Sequence, residues 1–190
     1  MRSTSVIRAG LAAGVVALGL LGRATAGPTP LTLGEHGVLT LELPDGWHLE
    51  RHGDGQGPPS FLLTPATGER FEVLLTALWP GGAGRLPDEA ALRREVGDAA
   101  ESARQQSIER TLPLEALTGP DVHGVYFRAT DRAPKPGEYR YLAQGLARVG
   151  GIVLAFTVLS NDGAREAPRL ALEMLRGARH APPTGPGERT

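Results

Sequence analysis

The chain has 190 residues, no cysteine, and 20 basic against 21 acidic residues, for a formal net charge of −1. Without cysteine there are no disulfides and no thiolate metal sites. A slightly acidic balance argues against nucleic acid as a partner, since phosphate binding needs a basic surface; the arginines are scattered, and Lys135 is the single lysine.

Residues 1 to 26 read as a cleavable export signal. Arg2 and Arg8 supply a positive start, Ala9 to Gly22 is an uncharged apolar run, and Arg23-Ala24-Thr25-Ala26 ends in an A-x-A pattern. The run is too short for a spanning helix, which needs roughly 20 residues. Cleavage after Ala26 leaves 164 residues with 17 basic and 21 acidic groups, a formal charge of −4. That is the size of one domain with a core of its own. No lipobox cysteine exists to carry a lipid, so the expectation is a periplasmic or secreted protein with no stable membrane anchor after cleavage.

Residues 27–35 read as a Pro/Gly-marked leader, 36–180 as one globular domain, and 181–190 (APPTGPGERT) as a disordered tail. Val38 to Leu43 alternates apolar and polar side chains, which predicts a strand with one buried face. Pro44-Asp45-Gly46 turns the chain into a second short strand from Trp47, where Trp47 and Leu49 alternate with His48 and Glu50. His52 to Pro59 is a loop by composition. Ser60 to Thr64 and Phe71 to Leu78 read as strands joined by a hairpin at Ala66-Thr67-Gly68-Glu69. Asp88 is placed to cap a helix that ends near Gln106 or Ser107, with Leu92, Val96, Ala99, Ala100 and Ala103 at helical spacing.

Three or four strands follow: part of Ile108 to Leu117, Val122 to Thr130, Tyr139 to Arg148, and Gly151 to Leu159. The last is apolar throughout, as a central strand covered on both faces would be. Gly150-Gly151 makes a tight hairpin before it. Asn161-Asp162-Gly163 is expected to cap a final helix from about Ala164 to Arg179, with Pro168 near its start. The order predicts an α+β fold with a mostly antiparallel sheet of about six strands flanked by two helices.

The strand running into LPDGW (Leu43 to Trp47), the hairpin from Phe61 to Leu78, the helix from Asp88, and the closing hairpin with its C-terminal helix together resemble the Mog1/PsbP-like family. The resemblance spans most of residues 36 to 180, and its sharpest motif is the Pro-x-x-Trp of Pro44 and Trp47. It implies an αβα sandwich around an antiparallel sheet. It also implies an accessory or binding role, since family members serve photosystem assembly, nuclear transport, envelope uptake or secretion. Many relatives carry a lipid on a cysteine; this chain departs from them there.

Trp47 reads as core, with a ligand-stacking platform as the other reading. His36, His48 and His52, near Glu50 and Asp54, would need to converge on one ion to hold a metal, and strand and loop geometry does not bring i, i+4 histidines together. They are expected to face solvent, and His180 lies beside the tail. Ser160, His123 and Asp162 contain the groups of a nucleophilic triad, but no G-x-S-x-G elbow surrounds Ser160, and Asp162 already serves the turn. Neither G-x-G-x-x-G nor G-x-x-x-x-G-K-[ST] occurs, so no phosphate cradle is expected. No catalytic, cofactor or metal residue is therefore assigned, and no cofactor is expected. The exposed loop Asp131 to Glu138, carrying Arg132 and Lys135, forms with Trp79 a candidate contact surface. The leading expectation is a non-enzymatic exported protein that binds another envelope or secreted protein. The alternatives are an exported hydrolase using His48, His52 and Asp54 or Ser160 and His123, and a small-molecule carrier with a pocket between sheet and helix.

Overall fold

A computed structural model of the chain describes residues 27–52, 57–81 and 84–183. The expected signal segment, Asp54, and residues 184–190 of the expected tail lie outside the described residues. Ten strands and two helices follow in the order β1 (Gly27–Thr32), β2 (Val38–Leu43), β3 (Trp47–His52), β4 (Ser60–Pro65), β5 (Phe71–Leu78), α1 (Glu89–Arg104), β6 (Glu115–Thr118), β7 (Val122–Thr130), β8 (Tyr141–Val149), β9 (Ile152–Ser160), α2 (Ala167–Arg176) and β10 (Arg179–Ala181). The α+β class holds, and every ladder is antiparallel.

The main sheet has seven strands, not about six, in the order β3-β4-β5-β9-β8-β7-β6. A separate sheet of three strands, β1-β2-β10, was not expected. The leader is therefore strand β1, running against β2 from Gly27 opposite Leu43 to Thr32 opposite Val38. Pro28 and Pro30 hide it in the sequence, yet β1 is an edge strand, where a missing N–H costs no ladder bond. The final helix stops at Arg176, three residues short of expectation. The chain then pairs Arg179 with Thr40 and Ala181 with Val38, so Ala181 belongs to a strand and not to the tail.

The central position of β9 follows its sequence: it is the fourth of seven strands, and Ile152, Leu154, Phe156 and Val158 are almost fully buried. Gly145, on β8 opposite Phe156, marks a close approach. A Cβ there would lie 2.3 Å from the Val125 carbonyl oxygen and 2.8 Å from Phe156 Cζ.

The sheet's two faces are covered unequally. On one face Leu92, Val96 and Ala100 of α1 pack on Val125, Phe127, Ala129 and Val153. The Asp88 side chain accepts a hydrogen bond from the Ala91 N–H at 2.8 Å and starts this helix as expected. On the opposite face lie α2 and the three-stranded sheet, whose Leu39, Leu41, Leu172 and Leu175 join Trp47, Phe61, Phe71 and Phe156 in the larger core. Helix α1 lies over β7 and β8. At the end of β5, Leu78 packs against the α1 cluster, whereas farther from that end the same face is left open at Leu74. The registers place Glu50, Leu62, Leu74 and Thr157 side by side across that open half. Leu74 is 40% exposed there, one of two large apolar side chains left open to solvent among the described residues.

Candidate functional site

Trp47 is placed by the turn before it. The Trp47 N–H donates to the Pro44 carbonyl at 3.3 Å, and Gly46 takes φ +75°, which favours glycine. The indole is 4% exposed and lies 4.5 Å from the Phe71 ring, tilted by 46°. This is the core position expected of it. The same ring also floors a groove of about 420 Å³.

Three turns that are remote in sequence build the groove's rim. The β2–β3 turn contributes Asp45, the β4–β5 turn Glu69, and the segment between β9 and α2 Asp162 and Glu166. The Asp162–Ala164 stretch forms a 3₁₀ turn and does not cap α2, whose N-cap is Glu166 without a side-chain bond. A Cβ on Gly163 would lie 2.3 Å from Glu69 Cγ, so glycine there lets Glu69 lie across the turn. Arg165 is the one basic residue lining the groove. It reaches Asp162 at only 3.8 Å, and its side chain is largely exposed. Asp162 also accepts the Tyr141 hydroxyl at 2.6 Å, a bond that raises the tyrosine's pKa. Glu166 pairs with Arg169 at 2.8 Å. Among the described residues Asp45 and Glu69 pair with no cation, and the Trp47 indole N–H has no acceptor. No buried side-chain N or O lacks a partner among those residues, so that N–H is not fully buried.

A neighbouring groove of similar size lies across Arg165, at the ends of β7, β8 and β9. Several of its polar groups are already paired. Glu109 accepts hydrogen bonds from the Ser107 hydroxyl, the Thr130 N–H at 3.0 Å and the Thr130 hydroxyl at 2.7 Å. Burial alone would raise the Glu109 pKa; these donors outweigh it and hold the carboxyl below the usual range. Arg128 donates to the Tyr126 hydroxyl at 2.9 Å, which in turn donates to Glu115 at 2.8 Å. Burial first, then Glu115, raises the Tyr126 pKa.

The candidate triad does not assemble. Ser160 and Thr130 stand at one end of the sheet, each opposite Tyr141, and His123 is seven residues back along β7. At ~3.3 Å per residue that separates His123 from Ser160 by roughly 23 Å. His48 and His52 lie on the open sheet face, four residues apart on β3, a span of roughly 13 Å. No three His, Cys, Asp or Glu side chains among the described residues are grouped to hold a metal.

The expectation of solvent-facing histidines fails at His36, and His180, placed only beside the tail, has a structural role. His36 stacks on Trp79 with 3.8 Å between ring centroids. His180 Nδ1 accepts the Gly151 N–H at 3.2 Å, which leaves the ring proton on Nε2 to donate to the His36 carbonyl at 2.7 Å. His180 therefore ties the small sheet to the β8–β9 turn. Trp79 is half-buried beneath His36 and against the larger core. Arg132 donates to the Ser107 carbonyl at 2.9 Å, and the exposed Lys135 donates its backbone N–H to Glu138. Loop 131–138 is thus tied to the fold by Arg132 and open to solvent at Lys135.

At the rim of the open sheet face, Glu72 accepts both Arg70 at 2.8 Å and the Tyr139 hydroxyl at 3.0 Å, and Arg70 lies over the Tyr139 ring. Burial, followed by the Glu72 contact, pushes the Tyr139 pKa up. No described helix is long and apolar enough to cross a membrane.

No family model matches the chain, and no curated protein matches it significantly. Among solved structures it is similar to a protein of Bacteroides thetaiotaomicron VPI-5482 determined at 1.50 Å resolution, with 16% sequence identity and a TM-score of 0.47. The similarity covers 80% of this chain and 47% of that one, so the chain spans about half the length of that protein.

Proposed function

We propose that this chain is an exported accessory protein of the Mog1/PsbP-like kind, which acts without catalysis by contact with another envelope or secreted protein. The observation that carries this reading is the open half of the main sheet. Leu74 stands 40% exposed there, beside half-buried Leu62 and Thr157, on strands whose opposite faces are sealed in the core. A rigid surface with a central apolar residue and a charged rim of Glu50, Arg70 and Glu72 is a contact surface in chemical terms. Export rests on the N-terminal signal, with cleavage after Ala26.

The test uses the mature chain, residues 27–190, and its Leu74→Asp variant as parallel baits in an extract of the source organism's envelope. The reading expects one near-stoichiometric protein on the wild-type bait and its loss on the folded variant. Equal capture by both, or by neither, overturns the assigned surface. N-terminal sequencing of the protein from its native host is expected to begin at Gly27; a chain beginning at Met1 overturns the export reading.

A further inference from the structure

We propose that His180 is a pH-gated latch: its neutral ring clasps the β8–β9 turn to the three-stranded sheet, and its protonated ring keeps the sheet and releases the turn. Both ring nitrogens are engaged. Nδ1 accepts the Gly151 N–H at 3.2 Å, and Nε2 stands 2.7 Å from the His36 carbonyl oxygen. A carbonyl only accepts, so the ring proton sits on Nε2 and Nδ1 is bare. A protonated imidazole has two donors and no acceptor. Its Nδ1–H would point at the Gly151 N–H, donor against donor, and that bond is lost. The Nε2–H bond to His36 becomes charge-assisted and stronger. Acid therefore acts on the two bonds in opposite directions, and the cation stays with His36.

The backbone on both sides fits the ring closely. A Cβ on Gly150 would lie 3.2 Å from His180 Nδ1, and one on Gly151 would lie 3.5 Å from it. A Cβ on Gly37, next to His36, would overlap the Ala181 carbonyl oxygen. Strand β10 has three residues, opposite Thr40, Leu39 and Val38 of β2, so two further bonds from its central residue weigh heavily in holding it. The other titratable groups around the latch come from four places. Arg179 adjoins it on β10, Arg176 ends α2, and Glu35 and the His36 ring precede β2. Asp121 stands one residue outside the Val122–Val149 pair, beside the turn. Arg148 and His123 face each other on the α1 side of the sheet, with Val153. No carboxylate takes a bond from the His180 ring, whose nitrogens are both used. The His36 ring stacks on Trp79 and lies 3.7 Å from Glu35, contacts that a cation keeps, so its protonation breaks no bond of the latch. The small sheet packs on the face opposite Leu74, so the latch does not depend on the contact surface.

The experiment is nitrogen-15 NMR of residues 27–190, which include every described residue. At about pH 8 the His180 ring is expected to show a protonated Nε2 and a bare Nδ1. Amide exchange is then measured between about pH 8 and about pH 5, the range in which imidazoles change charge, and divided by the intrinsic rate at each pH. Protection of the Gly151 amide is expected to fall about three- to tenfold with acid, as the loss of one hydrogen bond implies. The amides of the β2–β10 ladder and of Phe156 in the central strand are expected to keep theirs. His180→Gln cannot titrate and can still donate to the His36 carbonyl; its Gly151 protection is expected to be flat across the range. His36→Gln keeps that carbonyl and removes the neighbouring ring, and is expected to retain the wild-type response. A proton on Nδ1 at about pH 8, or unchanged Gly151 protection in acid, would overturn the proposal. So would an equal loss at Phe156, an equal loss in His180→Gln, or a response abolished by His36→Gln. The first two results are read on the wild-type protein, so the proposal is decided even where a variant does not fold.

Discussion

Trp47 belongs to the core and lines the groove, and its removal tests the packing around it. Trp47→Ala takes away a side chain that is 96% buried and its contact with Phe71 at 4.5 Å. Truncating a buried aromatic to alanine costs about 3–5 kcal/mol, and an aromatic pair about 0.5–1.5 kcal/mol of that kind of contact. One edge of the indole faces the groove, so water can fill part of the vacated space. That places the expected loss near the lower figure, about 3 kcal/mol. With a urea slope of about 2 kcal/mol per molar, the unfolding midpoint should fall by about 1.5 M. The assay is equilibrium urea unfolding followed by far-UV circular dichroism, with Trp47→Phe alongside. The phenylalanine variant keeps the ring contact and should lose about 1–2 kcal/mol. A midpoint shift below about 0.5 M for Trp47→Ala would refute the claim that this ring is part of the core.

Gly145→Ala should destabilise the protein by at least about 1–3 kcal/mol, because its Cβ would meet the Val125 carbonyl and the Phe156 ring; thermal unfolding of the variant at wild-type stability would contradict the packing of β7, β8 and β9. Glu109 has its folded pKa lowered. Its contribution to stability is therefore present above the unfolded value of about 4.3 and is lost as pH falls through the lower folded value. Glu109→Gln should accordingly be less stable than the wild type at neutral pH, and the gap should narrow below about pH 4; a gap constant across acid titration would exclude the carboxylate's role. His180→Ala removes the bonds to Gly151 and His36 and should lower stability by about 1–2 kcal/mol, with faster amide exchange at Gly151 and along β10 by hydrogen exchange; unchanged protection would show that His180 does not join the two sheets.

Period-2 alternation made the strands of the main sheet legible, because Val73, Leu75 and Ala77, for example, point to one core while Glu72, Leu74 and Thr76 do not. Asp88 and the Leu92–Val96–Ala100 spacing did the same for α1. The three-stranded sheet was not legible. β1 carries two prolines, β10 has three residues, and they join β2 from opposite ends of the described chain. Local pattern has no access to such distant pairing. The groove was hidden for the same reason: Asp45, Glu69 and Asp162 are far apart in sequence. Their one shared signal is a glycine neighbour in a turn, as in Asp45-Gly46, Gly68-Glu69 and Asp162-Gly163. That pattern marks loops that could gather at one end of a sheet, but it does not say which ones meet. The separation of Ser160 from His123 likewise required the register of β7 and β8, which composition does not encode.

The central claim, action by contact through the open sheet face, is tested most directly by a photo-crosslinking residue at position 74 in the native host. Position 108 serves as the control, since Ile108 is the other exposed large apolar side chain among the described residues, at 57%. The account predicts a discrete protein adduct from position 74 and none of that mass from position 108. Adducts from neither position, or the same adducts from both, would contradict it.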